Sequence, residues 1–194
     1  MTDPQASVPC PYHIHFSPTL DEIICLADYA PPLDQVLGCL KFGQQAALGK
    51  ALGELLIQKA ETEQASPLQA LDALIPIPLS GPRLAERGFN QSHQIARGIR
   101  ASSSHPAPPI QTGWLRRIRQ TAPQSTLAAG ERAQNLSGAF EAAPATRDKQ
   151  VALIDDVMTT GATLLAAAQA LKDAGAARVI ALIVARTPEP GQQG

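Results

Sequence analysis

A chain of 194 residues, 44% hydrophobic and 17% charged, is long enough for one α/β domain with a proper core and too apolar for disorder to be the default. A net charge of −1 and a pI near 6.4 carry no global signal for nucleic acid, and no run reaches the ~18 apolar residues of a membrane span. Three cysteines, an odd number, argue against a disulfide framework, and without a basic and apolar leader the expected compartment is the cytoplasm.

Residues 1–18 hold Pro4, Pro9, Pro11 and Pro18 and read as an irregular N-terminal segment. Cys10 and His13 stand at a C-x2-H spacing there, but one half-knuckle falls short of the four ligands of structural zinc. Zinc is therefore not expected. Asp21 to Tyr29 is a first strand, with Cys25 a core thiol inside it. Pro31-Pro32 opens a helix over Leu33 to Leu40, apolar at Leu33, Val36, Leu37 and Leu40. Cys39 is placed on its apolar face. Lys41-Phe42-Gly43 ends it, and Lys41 complements the helix dipole. Gln44 to Ala60 is a second helix with a stripe of Leu48, Leu52, Leu55 and Leu56.

Leu71 to Leu79 reads as a strand whose Pro76 and Pro78 donate no ladder bonds. The two prolines force an extended exit into a basic loop through Ser80-Gly81-Pro82-Arg83, and a helix runs on to about Arg100. Arg83, Arg87, Asn90 and Gln91 in this unit are donors of the kind a diphosphate needs. The alternative is a solvated basic loop with Asn90 capping the helix. Residues 101–109 are a turn-rich spacer, in which His105 is solvated. Ile110 to Arg116 is a short strand, and Arg117 to Gly138 a long polar loop of the mobile-lid type. Between Arg83 and Arg132 eight arginines face two acids, a local charge of +6 that suits a polyanion. Ala142 to Gln150 is an exposed connection.

The most informative stretch is Val151 to Thr163, VALIDDVMTTGAT. Four apolar residues form a buried strand, the acid pair Asp155-Asp156 follows, and Thr159-Thr160-Gly161-Ala162-Thr163 makes a small-residue turn. Leu164 to Ala174 is a helix that Gly175 ends. A turn between a parallel strand and a helix offers free backbone N–H groups and the positive end of a dipole, a phosphate site. Gly161 clears the approach to the backbone. Carboxylates beside a phosphate serve a ribose diol or a divalent metal, so the stretch describes a ribose 5-phosphate pocket. Val179 to Val184 is a last buried strand, and residues 188–194 read as a disordered tail.

This stretch resembles the phosphoribosyl diphosphate (PRPP) signature of type I phosphoribosyltransferases. LIPIPLSGPRLAERGFNQ, RIRQTAPQSTLAAGERAQNLSGAF and Lys41-Phe42-Gly43 narrow the resemblance to the ComF (GntX-like) family, over residues 20–187. The resemblance implies an α/β type I phosphoribosyltransferase fold over residues 19–187: a mostly parallel central sheet flanked by helices, with a small hood. It implies PRPP as ligand, with Mg²⁺ held mainly by the diphosphate and hydroxyls. Thr159, Thr160, Gly161, Ala162 and Thr163 then take the 5-phosphate, and Asp155 and Asp156 the ribose hydroxyls. Since successive strand residues point opposite ways, one acid alone can do so directly. Arg83, Arg87, Asn90 and Gln91 steady the diphosphate. Asp155, Asp156 and Arg119 are the catalytic candidates, Arg119 excluding water from the lid.

The family also implies a link to DNA uptake in natural competence, with single-stranded DNA and competence machinery as partners. Arg116, Arg117 and Arg119 are the nucleic-acid candidates, and a homo-oligomer is compatible. The expected reaction is phosphoribosyl transfer to an unassigned acceptor. The alternative is a non-catalytic PRPP-sensing or single-stranded-DNA-binding factor. Two departures matter. The family's four-cysteine zinc module is represented only by Cys10 and His13, so its role is not carried over. Thr159 stands where 6-oxopurine salvage enzymes place an aspartate, which argues against hypoxanthine or guanine as acceptor.

Overall fold

The computed structural model describes residues 19–43, 45–63, 68–103, 106–119 and 138–187. Cys10, His13, His105, most of the Arg117–Gly138 segment and residues 188–194 lie outside them. The first strand, β1, is Glu22–Asp28; α1 is Leu33–Phe42 and α2 Ala46–Glu63. Then follow β2 (Ala73–Pro76), α3 (Gly81–Arg87) and α4 (Gln91–Ser102). A hairpin of β3 (Leu115–Arg117) and β4 (Phe140–Ala142) precedes β5 (Gln150–Met158), α5 (Ala162–Asp173) and β6 (Arg178–Arg186).

The central sheet is parallel throughout, in the order β1-β6-β5-β2, and β3 and β4 pair antiparallel beside it. This is the α/β architecture that the resemblance implies, helices on both faces of a parallel sheet. Strand alternation assigns the faces. Ile75, Leu153 and Ile183 pack on one side with Leu164, Ala168 and Leu171 of α5 and with the hairpin's Leu115 and Phe140. Leu74, Ile154 and Leu182 pack on the other with Leu37 of α1, Leu56 of α2 and Ile95 of α4. Each such buried aliphatic side chain contributes about 1.5–3 kcal/mol, which is why the strand runs are continuously apolar.

Two aspartates set the strand register. Asp72 accepts the Gln150 N–H (2.8 Å), joining the starts of β2 and β5, and pairs with Lys149 Nζ at 3.0 Å. Asp21 does the same for β1 and β6, accepting the Val179 N–H (2.7 Å) and pairing with Lys172 Nζ at 2.8 Å.

Several elements differ from the sequence expectation. The proline strand covers only Ala73–Pro76, with one further bond from Ile77 N–H to the Ile154 carbonyl (2.9 Å) before Pro78 stops the ladder. The basic stretch after it is not an extended loop: Ser80 precedes a short helix with Pro82 in its first turn, where a missing N–H costs nothing. Gly88, at φ 75, ends that helix before α4 begins. Ile110 makes an isolated parallel bridge to Leu74, and only Leu115 onward forms a strand, paired with β4 and not with the central sheet. The connection after β4 is not all exposed, since Thr146 is buried. Leu55 and Cys39 face solvent rather than the core. Asp155 and Asp156 lie within β5, because pairing with β6 continues to Met158 opposite Arg186.

Candidate functional site

Helices that follow neighbouring strands leave the sheet on opposite faces. α4, after β2, packs with Leu74 and Ile154, whereas α5, after β5, packs with Ile75 and Leu153. A crevice must open between the carboxyl ends of β2 and β5, the usual ligand position in such sheets. A cleft of about 200 Å³ lies there. The acid pair, Ile77, Pro78 and Leu79 after β2, and Thr159 and Thr163 line it. Lys41, Arg83, Arg87 and Arg117 also line it, four cations against two carboxylates.

The carboxylates are held differently. Asp155 Oδ1 accepts both the Ser92 hydroxyl (3.1 Å) and the Asp156 N–H (3.0 Å). Burial pushes its carboxyl up to about 7, with the neighbouring Asp156 adding to the rise, against the opposing pull of these hydrogen bonds and Lys41. Asp156 is buried, and Lys41 Nζ lies 3.2 Å from its Oδ2. The contact lacks hydrogen-bond alignment, since that oxygen has no hydrogen-bond partner. It is an ion pair held by charge alone. Only Asp155 of the two also lines a second, smaller depression, formed with Thr159 through Thr163. That depression sits on the N-terminus of α5, where Gly161 at φ 73 turns the chain into the helix.

The cations come from separate elements. Arg87 lies 5.7 Å from the Phe42 ring centroid and donates to Gln91 Oε1 (3.0 Å), while its buried Nε has no hydrogen-bond partner. Arg117 lies 5.4 Å from the Phe140 ring centroid. Burial lowers its pKa, as does the charge of Arg83, and Asp155 opposes them, so the three share one field. The remaining candidates stand apart. Asn90 caps α4, accepting the His93 N–H (3.3 Å), and its amide donates to the Ile77 carbonyl (2.9 Å). Gln91 is buried beneath Arg87. Arg116 pairs with Glu141 at 2.9 Å on the exposed face of the hairpin, and Arg119 is exposed outside the cleft lining. Strand alternation thus divides Arg116 from Arg117, neighbours that the sequence presents as one group.

Two residues escape the sequence reading: Lys41, which reads as a dipole complement at the end of α1, and Ser92, which the sequence does not single out. Arg117, a nucleic-acid candidate from the sequence, lines the cleft. The only available signal was Lys41's place in the Lys41-Phe42-Gly43 element.

Residues 44–192 match the family model described as "Phosphoribosyl transferase domain". The chain is 34% identical over 186 residues to the DNA utilization protein YhgH of Salmonella typhimurium, covering 93% of this chain and 79% of that protein. It is 31% identical over 166 residues to competence protein F of Haemophilus influenzae, covering 81% and 69%. Against competence protein ComFC of Bacillus subtilis the identity is 34% over 104 residues, 54% of this chain and 40% of that one.

Proposed function

The chain belongs to the phosphoribosyl transferase domain family, in its ComF (GntX-like) branch, and from that premise we propose that it binds PRPP with Mg²⁺ and transfers the phosphoribosyl group. The observation that carries this is one crevice holding three complementary parts: a helix N-terminus on a small-residue turn, a carboxylate pair, and four cations. The 5-phosphate takes the turn from Thr159 to Thr163, accepting from its N–H and hydroxyl groups. Asp155, common to both depressions, accepts from a ribose hydroxyl, and Asp156 accepts from the other as Lys41 yields. Arg83, Arg87 and Lys41 face the diphosphate, with the orphan Arg87 Nε a ready donor.

Among the described residues, no group of three or more His, Cys, Asp or Glu gathers to hold a metal. A Mg²⁺ that arrives on a diphosphate needs no such cage, because it keeps phosphate oxygens and waters as ligands. The donor set therefore fits a metal carried by the substrate, which would neutralise the departing diphosphate. The protein's own part is charge placement. As the bond from the anomeric carbon to the diphosphate oxygen breaks, the arginines hold the leaving charge while the carboxylates stabilise the cationic ribose. The acceptor's electron pair then forms the new bond. The names of the relatives, a DNA utilization protein and a competence protein, support a role in DNA utilization or competence.

Calorimetry with PRPP and Mg²⁺ tests the reading. The wild-type chain binds, and Asp155→Asn with Asp156→Asn lowers affinity by roughly two orders of magnitude, the value of two hydrogen bonds to charged groups. Equal binding by the double variant refutes the ribose assignment. Release of diphosphate with any nucleobase or DNA oligonucleotide identifies an enzyme. Binding without release across that set favours the PRPP-sensing alternative.

A further inference from the structure

Ser92 is among the few buried polar residues of the described chain, with only 2% of its surface exposed. It lies in the first turn of α4, on the same inner face as Ile95, Ala96 and Ile99, which pack into the apolar core. An alanine would continue that face. A buried hydroxyl is costly there unless it is hydrogen-bonded. Its partner is Asp155 Oδ1, 63 positions later in the chain and 3.1 Å away. The Asp156 N–H donates to the same oxygen at 3.0 Å. Rotation of the Asp155 carboxylate would break both bonds at once. Oδ2 is left as the oxygen that neither donor occupies.

The helix that delivers Ser92 is itself fixed. Asn90 ties its start to the Ile77 carbonyl (2.9 Å), at the wall of the cleft. Its middle is pressed against α2, where a Cβ on Gly98 would lie 1.9 Å from the Lys50 carbonyl oxygen. Ser92 therefore approaches Asp155 from a rigid element rather than from a loop.

We propose that Ser92 is the positioning residue of the acid pair: its hydroxyl, with the Asp156 N–H, locks Asp155 Oδ1 and so presents Oδ2 to the ligand. The inference rests on the reading of Asp155 as a ligand-binding carboxylate. It makes the two acids unequal. Asp155 is held by neutral donors in a fixed orientation, and Asp156 by a displaceable lysine. The other charged groups facing Asp155 are Asp156 on its own strand, Lys41 from α1 and Arg117 from the hairpin.

The test uses the full chain with ¹³C-labelled aspartate carboxyls, titrated without ligand, alongside Mg²⁺–PRPP affinity across pH. A hydroxyl that donates to the carboxylate favours its charged form. Ser92→Ala should therefore move the Asp155 midpoint upward and weaken Mg²⁺–PRPP by about tenfold. The pH dependence of binding should shift in the same direction. Ser92→Thr, which keeps the hydroxyl, should restore the midpoint. Should Ser92→Ala fold poorly, Ser92→Cys keeps the volume with a weak donor and should shift the midpoint likewise. A purely structural role leaves the midpoint where it is. A wild-type midpoint in both the Ala and Cys variants overturns the proposal. Absence of PRPP binding in the wild-type chain refutes the proposed function instead, while the ligand-free titration still decides the role of Ser92.

Discussion

At the level of single residues, the carboxylates of this chain respond to pH with opposite signs. Burial first, then Asp156, raises Asp155 from the ordinary 3.8 to about 7. Its contribution to stability is present below 3.8 and is lost as pH rises through the folded value, because the folded state resists ionising it. Asp155→Asn should flatten the fall in stability between about pH 4 and 7, as read by denaturant melts across that range. An unchanged slope would mean that Asp155 is ionised without penalty. Asp72 behaves in the reverse sense. The Gln150 N–H and then Lys149 lower its pKa, so its contribution is lost only as pH falls through the depressed value. Asp21 is raised by burial, but bonds from Lys172 and the Val179 N–H outweigh it and lower the net value. The acid pair was legible in the sequence because both residues are contiguous with a strand and a threonine turn. Ser92 and Lys41 were not, because their contacts with the pair depend on how distant helices pack.

At the level of elements, α2 and α4 meet along a seam of glycines. A Cβ on Gly53 would lie 2.1 Å from the Ile95 carbonyl oxygen and one on Gly98 1.9 Å from the Lys50 carbonyl oxygen, while one on Gly49 would lie 2.6 Å from the Gln94 Cβ. At Gly53 and Gly98 backbone meets backbone, which leaves no flexible side chain to move aside. Gly98→Ala should therefore cost about 1–3 kcal/mol or more by overpacking, despite the better helix propensity of alanine. Gly38 in α1 is the control, since nothing lies within 4 Å of its added Cβ. There the same substitution should stabilise by about 0.5–1 kcal/mol. Thermal melts of both variants decide, and a stabilised Gly98→Ala would refute the seam. From sequence alone each glycine reads only as a weak helix former. The short α3 was missed for a related reason: Gly81 and Pro82 signal a turn, although proline is at home in a first helical turn. The long apolar runs of β5 and β6 were legible because burial on both faces leaves no polar position to blur them.

At the level of the whole molecule, the strand order predicts something about synthesis. β6, the last strand among the described residues, inserts between β1 and β5 and pairs with both. While the chain is being translated, β1 and β5 stand as two open edges facing an empty slot. β2 and β5 can pair before the keystone strand arrives, so the half of the cleft that they carry can form early. Open apolar edges invite wrong pairing with other chains. The vulnerable interval in the life of this protein is therefore the time between emergence of Met158 and of Arg186. A chain stopped at Ala176 should be cut rapidly by protease and show no cooperative melt, whereas the full chain resists. Protease resistance of the shortened chain would mean that the sheet can close without β6.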